Sequence, residues 1–131
     1  MRTLPMIHRN NRAILLLFAA IIGSVTVPTA AHHSFAMFDK GRTTSIEGVV
    51  TQLAWTNPHV LIDVDVSDKE GGNARYRIES ASINILMHQG WKVGSIKAGD
   101  RVTILFNPLK SGLPGGLLIE VTLPNGSVLK G

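Results

Sequence analysis

The 131-residue sequence contains no cysteine, which excludes disulfide bonds, cysteine nucleophiles, thiolate metal sites and cysteine-linked lipid anchors. Aromatic residues are few, at 5% of the chain, with two tryptophans and one tyrosine. The sequence also lacks the G-x-S-x-G and H-E-x-x-H motifs, and no pair of carboxylates has a spacing that predicts a catalytic cleft. We therefore expect a domain that is stabilised by its core alone and is not an enzyme.

The excess of positive charge is confined to the beginning of the chain. Basic residues outnumber acids by 13 to 9, but Arg2, Arg9 and Arg12 precede every acidic residue. Beyond residue 31, ten basic residues face nine acids, which leaves a net charge of +1. This balance gives no basic face for a nucleic acid, so we expect no nucleic-acid partner.

The first 31 residues have the three-part pattern of a secretory signal peptide. The three arginines precede an apolar run over residues 13–22, and a small-residue stretch ends at Ala31. The run is shorter than the ~20 residues of a membrane-spanning helix. Cleavage after Ala31 would make His32 the first mature residue, with cleavage after Ala30 as the alternative. We therefore predict a cleavable signal (1–31) and a single domain (32–131) that is periplasmic or secreted and not bound to a membrane.

Strand patterns dominate the predicted mature chain. Residues 43–55 predict a long first strand in which Gly48 marks a bulge or bend. Alternation of apolar and polar residues predicts two further strands, at 60–66 and 74–79, with a turn at Asn57-Pro58 before the second strand. These three strands form a predicted antiparallel meander.

A short helix and two more strands follow. Ser80 or Ser82 can cap the helix, which would end at Gly90 and present Ile83, Leu86 and Met87 on one face. The next strand ends at Pro108, and the last strand has Leu117, Ile119, Val121 and Leu123 in phase, before a turn at Asn125-Gly126. This order predicts a mainly β fold: a small five-stranded antiparallel barrel like the oligonucleotide/oligosaccharide-binding (OB) fold, with one short helix between the third and fourth strands.

The sequence resembles a known family in several ordered motifs. These are Ala31-His32-His33-Ser34-Phe35 with Phe38-Asp39, Gly48-Val49-Val50, Trp55-Thr56-Asn57-Pro58-His59, Glu79, Gly90-Trp91 and Gly99-Asp100-Arg101-Val102. Together they are similar to small exported bacterial proteins of domain-of-unknown-function family 6152. The resemblance covers nearly the whole predicted mature chain and implies an exported small β domain without an established activity. Met87-His88-Gln89 departs from the family pattern, which favours arginine before the Gly-Trp pair.

Histidines supply the main candidate chemistry. After cleavage behind Ala31, His32 would offer an α-amine and an imidazole, a natural chelate for Cu(II), and His33 would add a second ring or a backbone nitrogen. After cleavage behind Ala30, His33 becomes the third residue, and its ring, the amine and two backbone amides can surround Cu(II) in a square plane. His59 could provide a further ligand from the folded domain. We therefore predict a site for Cu(II) or a similar metal at His32, His33 and His59.

The alternative is a module that binds a carbohydrate or an extracytoplasmic protein without a metal. Its surface would be the barrel face around Trp55, Asn57 and His59, and Glu79 and Trp91 are further candidate binding residues. The histidines also allow plainer roles, since a free N-terminal tail binds copper weakly in any peptide and His59 could cap the Asn57-Pro58 turn. For Trp55 and Trp91, packing into the core is the plainer role.

Overall fold

The computed structural model describes residues 35–131, in which three strands, a short helix and three further strands follow one another. The predicted order of three strands, one helix and two strands is confirmed, and a sixth strand is formed by the tail after Asn125-Gly126. The elements are β1 (Thr44–Ala54), β2 (Leu61–Ser67), β3 (Asn73–Glu79), α1 (Ile83–His88), β4 (Arg101–Pro108), β5 (Gly115–Thr122) and β6 (Val128–Lys130).

The strands form one sheet in the order β3-β2-β1-β4-β5-β6, and a pairing between β3 and β5 closes it into a five-stranded barrel. All neighbours are antiparallel except the closing pair, where Arg77 to Glu79 run parallel to Gly115 to Leu117. The predicted OB-like barrel with a helix between the third and fourth strands is confirmed. One pairing is nevertheless parallel, and β6 lies outside the closed ring on β5.

Gly48 and the irregularity of β1 are separate features. The register of β1 against β2 shifts between Val50 and Gln52, so the bulge lies beyond the glycine. Gly48 is needed for a different reason: a Cβ there would lie 2.5 Å from the carbonyl oxygen of Asp65 and 2.6 Å from a methyl group of Val64. Of the two predicted roles of Gly48, a bulge or a bend, the bulge is wrong in position, and the glycine permits close approach of β2.

The barrel interior is filled mainly by alternating residues of β2 and β4. Val60, Ile62 and Val64 are buried, as the alternation predicts. In β5, Leu118 and Val121 are buried, whereas Leu117 and Ile119 are only partly covered. The predicted in-phase set of β5 is thus wrong in part, because its register against β4 shifts between Leu105 and Phe106 and exchanges the faces of the strand. The other buried core residues include Val50, Ile78, Leu86, Trp91, Ile96, Val102, Ile104 and Phe106.

The helix ends at the predicted glycine and begins after Ser82, one of the two predicted cap residues. Gly90 has φ +94° and follows the C-cap, and the N–H groups of Gly90 and Trp91 donate to the carbonyls of Met87 and Leu86, which is a Schellman motif. Ser82 occupies the N-cap position without a side-chain cap. Leu86 is buried, but Met87 is 59% exposed, so the predicted placement of Met87 on the buried face is wrong.

Candidate functional site

His59 and Glu79 meet at one end of the barrel. His59 follows the cis Asn57-Pro58 bond in the loop between β1 and β2. Leu61 pairs with Glu79 across β2 and β3, and His59, two residues before Leu61, is directed to the same face. The Nδ1 atom of His59 pairs with Oε1 of Glu79, and the two side chains are 26% and 20% exposed. A long-range strand register therefore holds a carboxylate against one ring nitrogen.

Phe35 covers the other side of this histidine. The rings of Phe35 and His59 stack with centroids 5.9 Å apart and an interplanar angle of 26°. The Lys40 ammonium lies 4.9 Å from the centroid of the Phe35 ring, within range of a cation–π interaction. His59 is thus fixed by a carboxylate at its edge and an aromatic ring on its face.

The segment that carries Phe35 is anchored to the barrel. Phe38 is 3% exposed and forms a β-bridge with Leu109. The N–H of Asp39 donates to the carbonyl of Pro108 at 2.8 Å, and the N–H of Lys110 donates to that of Met37 at 2.9 Å. These contacts with the end of β4 and the following loop hold residues 35–39 against the domain.

The structure brings together only some of the residues predicted for binding. His59 and Glu79 are in contact, whereas His32 and His33 lie outside the described residues. Within residues 35–131, no group of three or more histidine, cysteine, aspartate or glutamate side chains could hold a metal ion. Among described residues the site thus offers a histidine and a carboxylate, a pair that needs further donors for a complete coordination shell.

The remaining candidates have structural contacts. Trp55 is half-buried and packs against the core. The side-chain oxygen of Asn57 accepts a hydrogen bond from the N–H of Ile83 at 3.3 Å and thereby helps to satisfy the first turn of α1. Trp91 is 1% exposed, and its ring is part of the core and does not contribute to an exposed binding surface. His88 is exposed at the end of α1.

Two ion pairs join β2 to β3 beside this site. Arg77 donates hydrogen bonds of 2.8 Å to both carboxylate oxygens of Asp63, and these bonds lower the pKa of that carboxyl. Arg75 donates hydrogen bonds of 2.8 and 3.1 Å to the two carboxylate oxygens of Asp65, whose pKa is also lowered. The charges on this face are therefore matched in pairs, and Asp63 is kept ionised although its residue is only 8% exposed.

Sequence reasoning missed the contact of Phe35 with His59 and the pairing of His59 with Glu79. Both contacts join segments that are far apart in the chain, so spacing alone gives no signal for them. The one available signal was register: if β2 and β3 pair as a hairpin around residues 68–72, Leu61 lies opposite Glu79 and His59 lies diagonally from it.

In the described part of the chain, residues 35–131, no helix is both long and apolar enough to cross a bilayer. Comparison with curated proteins finds no significant match to this sequence. Among solved structures, the crystal structure of the mitochondrial single-stranded DNA binding protein Rim1 from S. cerevisiae is similar, with a TM-score of 0.50 and 10% sequence identity. The match covers 63% of this chain and 93% of that chain, and at such low identity it shows the fold alone.

The family comparison covers more of the chain. The family described as "Family of unknown function (DUF6152)" matches residues 20–119. This range includes the histidine-rich segment, the Trp55–His59 loop, Glu79 and the Gly90-Trp91 pair, which are the motifs that carry the sequence resemblance. The chain therefore belongs to the DUF6152 family.

Proposed function

We propose that this protein is an exported binding domain that holds Cu(II), or a similar late divalent metal, between His59 and the histidines at its processed N-terminus. The observation that carries the proposal is the stacking of Phe35 on His59. Phe35 stands only two residues after His33 and three after His32. The two terminal histidines therefore lie next in the sequence to a residue that contacts His59.

The length of the chain supports a common site. Two residues span at most about 7 Å even when fully extended. The ring of Phe35 lies 5.9 Å from the ring of His59, and His33 precedes Phe35 by only two residues in the sequence. A short tether raises the effective concentration of one ligand near another and strengthens binding without a new contact.

The pairing of His59 with Glu79 suits a metal ligand. A carboxylate that accepts the Nδ1 proton of a histidine fixes the ring orientation and its tautomer, and it makes Nε2 the basic nitrogen. This arrangement is the usual outer-sphere support of histidine ligands in metal sites. Two imidazoles and the α-amine would provide the nitrogen donors that Cu(II) prefers, with His59 completing the set from the barrel.

Export is the second part of the proposal. Three arginines, an apolar run and a small-residue stretch in this order favour a cleavable signal peptide and a periplasmic or secreted product. Cleavage after Ala31 would place the α-amine on His32, whereas cleavage after Ala30 would make His33 the third residue. Both products would retain a nitrogen-rich terminus that begins three or four residues before Phe35.

The test is isothermal titration of the processed protein, with its N-terminus verified by mass, against Cu(II) and Zn(II). We expect a one-to-one copper site that His59→Ala weakens at least tenfold, about 1.4 kcal/mol. The matched control is His88→Ala, since His88 is exposed on α1 and should leave the affinity unchanged. A peptide of the first mature residues that binds copper as tightly as the protein would overturn the proposal, as would an unchanged affinity in His59→Ala.

A further inference from the structure

A groove open to solvent lies between the start of β1, β3, the end of β4 and the loop that leads into β5. Its volume is about 180 Å³. One arginine supplies the only charge among its lining side chains, and neither an acidic side chain nor the C-terminal residue is among them. The side chains that matter for binding are those of Arg42, Tyr76, Phe106, Leu109 and Leu113.

Arg42 has no ion pair within residues 35–131. The three other arginines of this range, Arg75, Arg77 and Arg101, each pair with a carboxylate. The main chain of Arg42 is nevertheless held in place, because its carbonyl accepts a hydrogen bond of 2.7 Å from the side-chain amide of Asn107. The groove therefore has an exposed guanidinium at its edge whose donors are available to an anion.

Tyr76 adds an available hydroxyl group. Its ring packs edge-on against Phe106, with centroids 6.0 Å apart and an interplanar angle of 69°. In the described part of the chain the hydroxyl has no hydrogen-bond partner, and it is not among the buried polar atoms without one, so solvent reaches it. A ligand could thus accept a hydrogen bond from Tyr76 without breaking one inside the protein.

We propose that this groove binds a small organic monocarboxylate whose carboxylate is attached to an aromatic ring or a branched alkyl group. The carboxylate would pair with the Arg42 guanidinium, whose planar donors match it in two parallel hydrogen bonds, and would accept a further bond from Tyr76. The apolar group would contact Leu109 and Leu113. Leu113 is 67% exposed, so this contact would remove apolar surface from water.

The size and charge of the groove suit such a ligand. An apolar protein cavity of about 150 Å³ accepts benzene, so a groove of about 180 Å³ has room for one ring with a small substituent. A single cation balances one carboxylate, whereas a phosphate monoester carries about 1.5 to 2 negative charges at pH 7 and would keep an excess. None of the lining residues belongs to the proposed copper site, so either proposal can fail without the other.

Benzoate, benzamide and acetate are the probes. Benzoate and benzamide have nearly the same shape but differ in charge, and acetate has the charge without the ring. Each is titrated into metal-free, ¹⁵N-labelled protein at constant ionic strength, and the amide shifts of residues 42, 44, 76, 109 and 113 are followed. We expect benzoate to bind about three- to tenfold more tightly than benzamide, and acetate to cause no saturable shift.

Three variants complete the experiment. Arg42→Gln removes the cation from an exposed position and should lower the benzoate affinity to that of benzamide. Tyr76→Phe keeps the ring on Phe106 and should weaken benzoate binding about threefold, the effect of one lost hydrogen bond. The matched control is Arg101→Gln, which removes an exposed arginine that is already paired with Glu47 and should leave the affinity unchanged.

Four results would each overturn the proposal. They are the absence of shifts at these amides with millimolar benzoate, equal affinities for benzoate and benzamide, tighter binding of phenyl phosphate than of benzoate, and an unchanged benzoate affinity in Arg42→Gln or Tyr76→Phe.

Discussion

The indole nitrogen of Trp91 donates a hydrogen bond of 2.6 Å to the main-chain carbonyl of Lys130. Trp91 is the last residue of the Schellman motif of α1 and is 1% exposed, whereas Lys130 belongs to β6, the strand outside the closed ring. A core side chain thus holds the last strand through a hydrogen bond. The Gly-Trp pair of the family motif therefore has a clear structural role in this chain.

Replacing Trp91 by Phe should lower the free energy of unfolding by about 2–3 kcal/mol, since it removes buried volume and leaves the Lys130 carbonyl without its donor. Urea denaturation measures the loss, and hydrogen exchange should show reduced protection of residues 128–130. Trp55→Phe is the control and should cost less, because Trp55 is only half-buried. Equal losses in both variants, with unchanged exchange in β6, would contradict this role.

Gly48 lies where β1 and β2 approach each other closely, so a larger side chain there should destabilise the domain. Gly48→Ala should destabilise the domain by about 2 kcal/mol, because the added methyl group would overlap the carbonyl of Asp65 and the side chain of Val64. Gly41→Ala is the matched control, since its Cβ would have 3.4 Å to the nearest atom, the Asp39 carboxylate, and little effect is expected. Thermal unfolding of the two variants compares them directly, and a Gly48→Ala protein as stable as its parent would refute the overlap.

The ion pair of Asp63 and Arg77 should make the free energy of unfolding depend on pH in the acidic range. Arg77 lowers the pKa of the Asp63 carboxyl in the folded state, so the unfolded chain binds a proton first as pH falls. The stabilisation is complete above the unfolded pKa of about 3.9 and is lost as pH falls through the lower folded-state pKa. Urea titrations between pH 7 and pH 2 should show this decline.

Asp63→Asn should remove that part of the acid dependence and cost about 1 kcal/mol at pH 7, a modest value because the Arg77 end of the pair is largely exposed. Glu47→Gln is the control, since Glu47 and Arg101 are both exposed and 3.4 Å apart. A profile for Asp63→Asn that is parallel to that of the parent down to pH 2 would show that the pair does not contribute.

Glu79 is expected to act through His59. Glu79→Gln keeps the size of the side chain but weakens its hold on Nδ1, and we expect copper affinity to fall about tenfold or more with the fold unchanged. Glu120→Gln, which removes a carboxylate paired with Lys130 instead, should leave the affinity as it was. Copper titration followed by electron paramagnetic resonance would reveal a loss of imidazole coordination. Unchanged affinity and spectra in Glu79→Gln would exclude the supporting role.

Local patterns were sufficient to predict the barrel. The alternation of apolar and polar residues in β2 and β4 predicts that one side of each strand faces the core. Gly90 marks the end of α1, because its backbone is left-handed. The pattern failed in β5, because a register shift there depends on β4, which a single segment cannot reveal. It also failed for Gly48, because the sequence does not show which backbone approaches a glycine.

The site was harder to predict than the fold. His59 was selected as a histidine beside a turn, but its carboxylate partner comes from β3 and its aromatic neighbour from the N-terminal segment. Signal cleavage and the roles of His32 and His33 remain predictions.

The parallel pairing of β3 with β5 sets the order in which the chain can complete its fold. Arg77 pairs with Gly115, so the ring can close only after every residue of α1 and β4 has been synthesised. Such a high share of distant contacts makes folding slow compared with a helical domain of this size. Until β5 has formed, the β3 edge of the meander of β1, β2 and β3 is unpaired. A chain ending before residue 115 would leave this edge free to pair with other molecules.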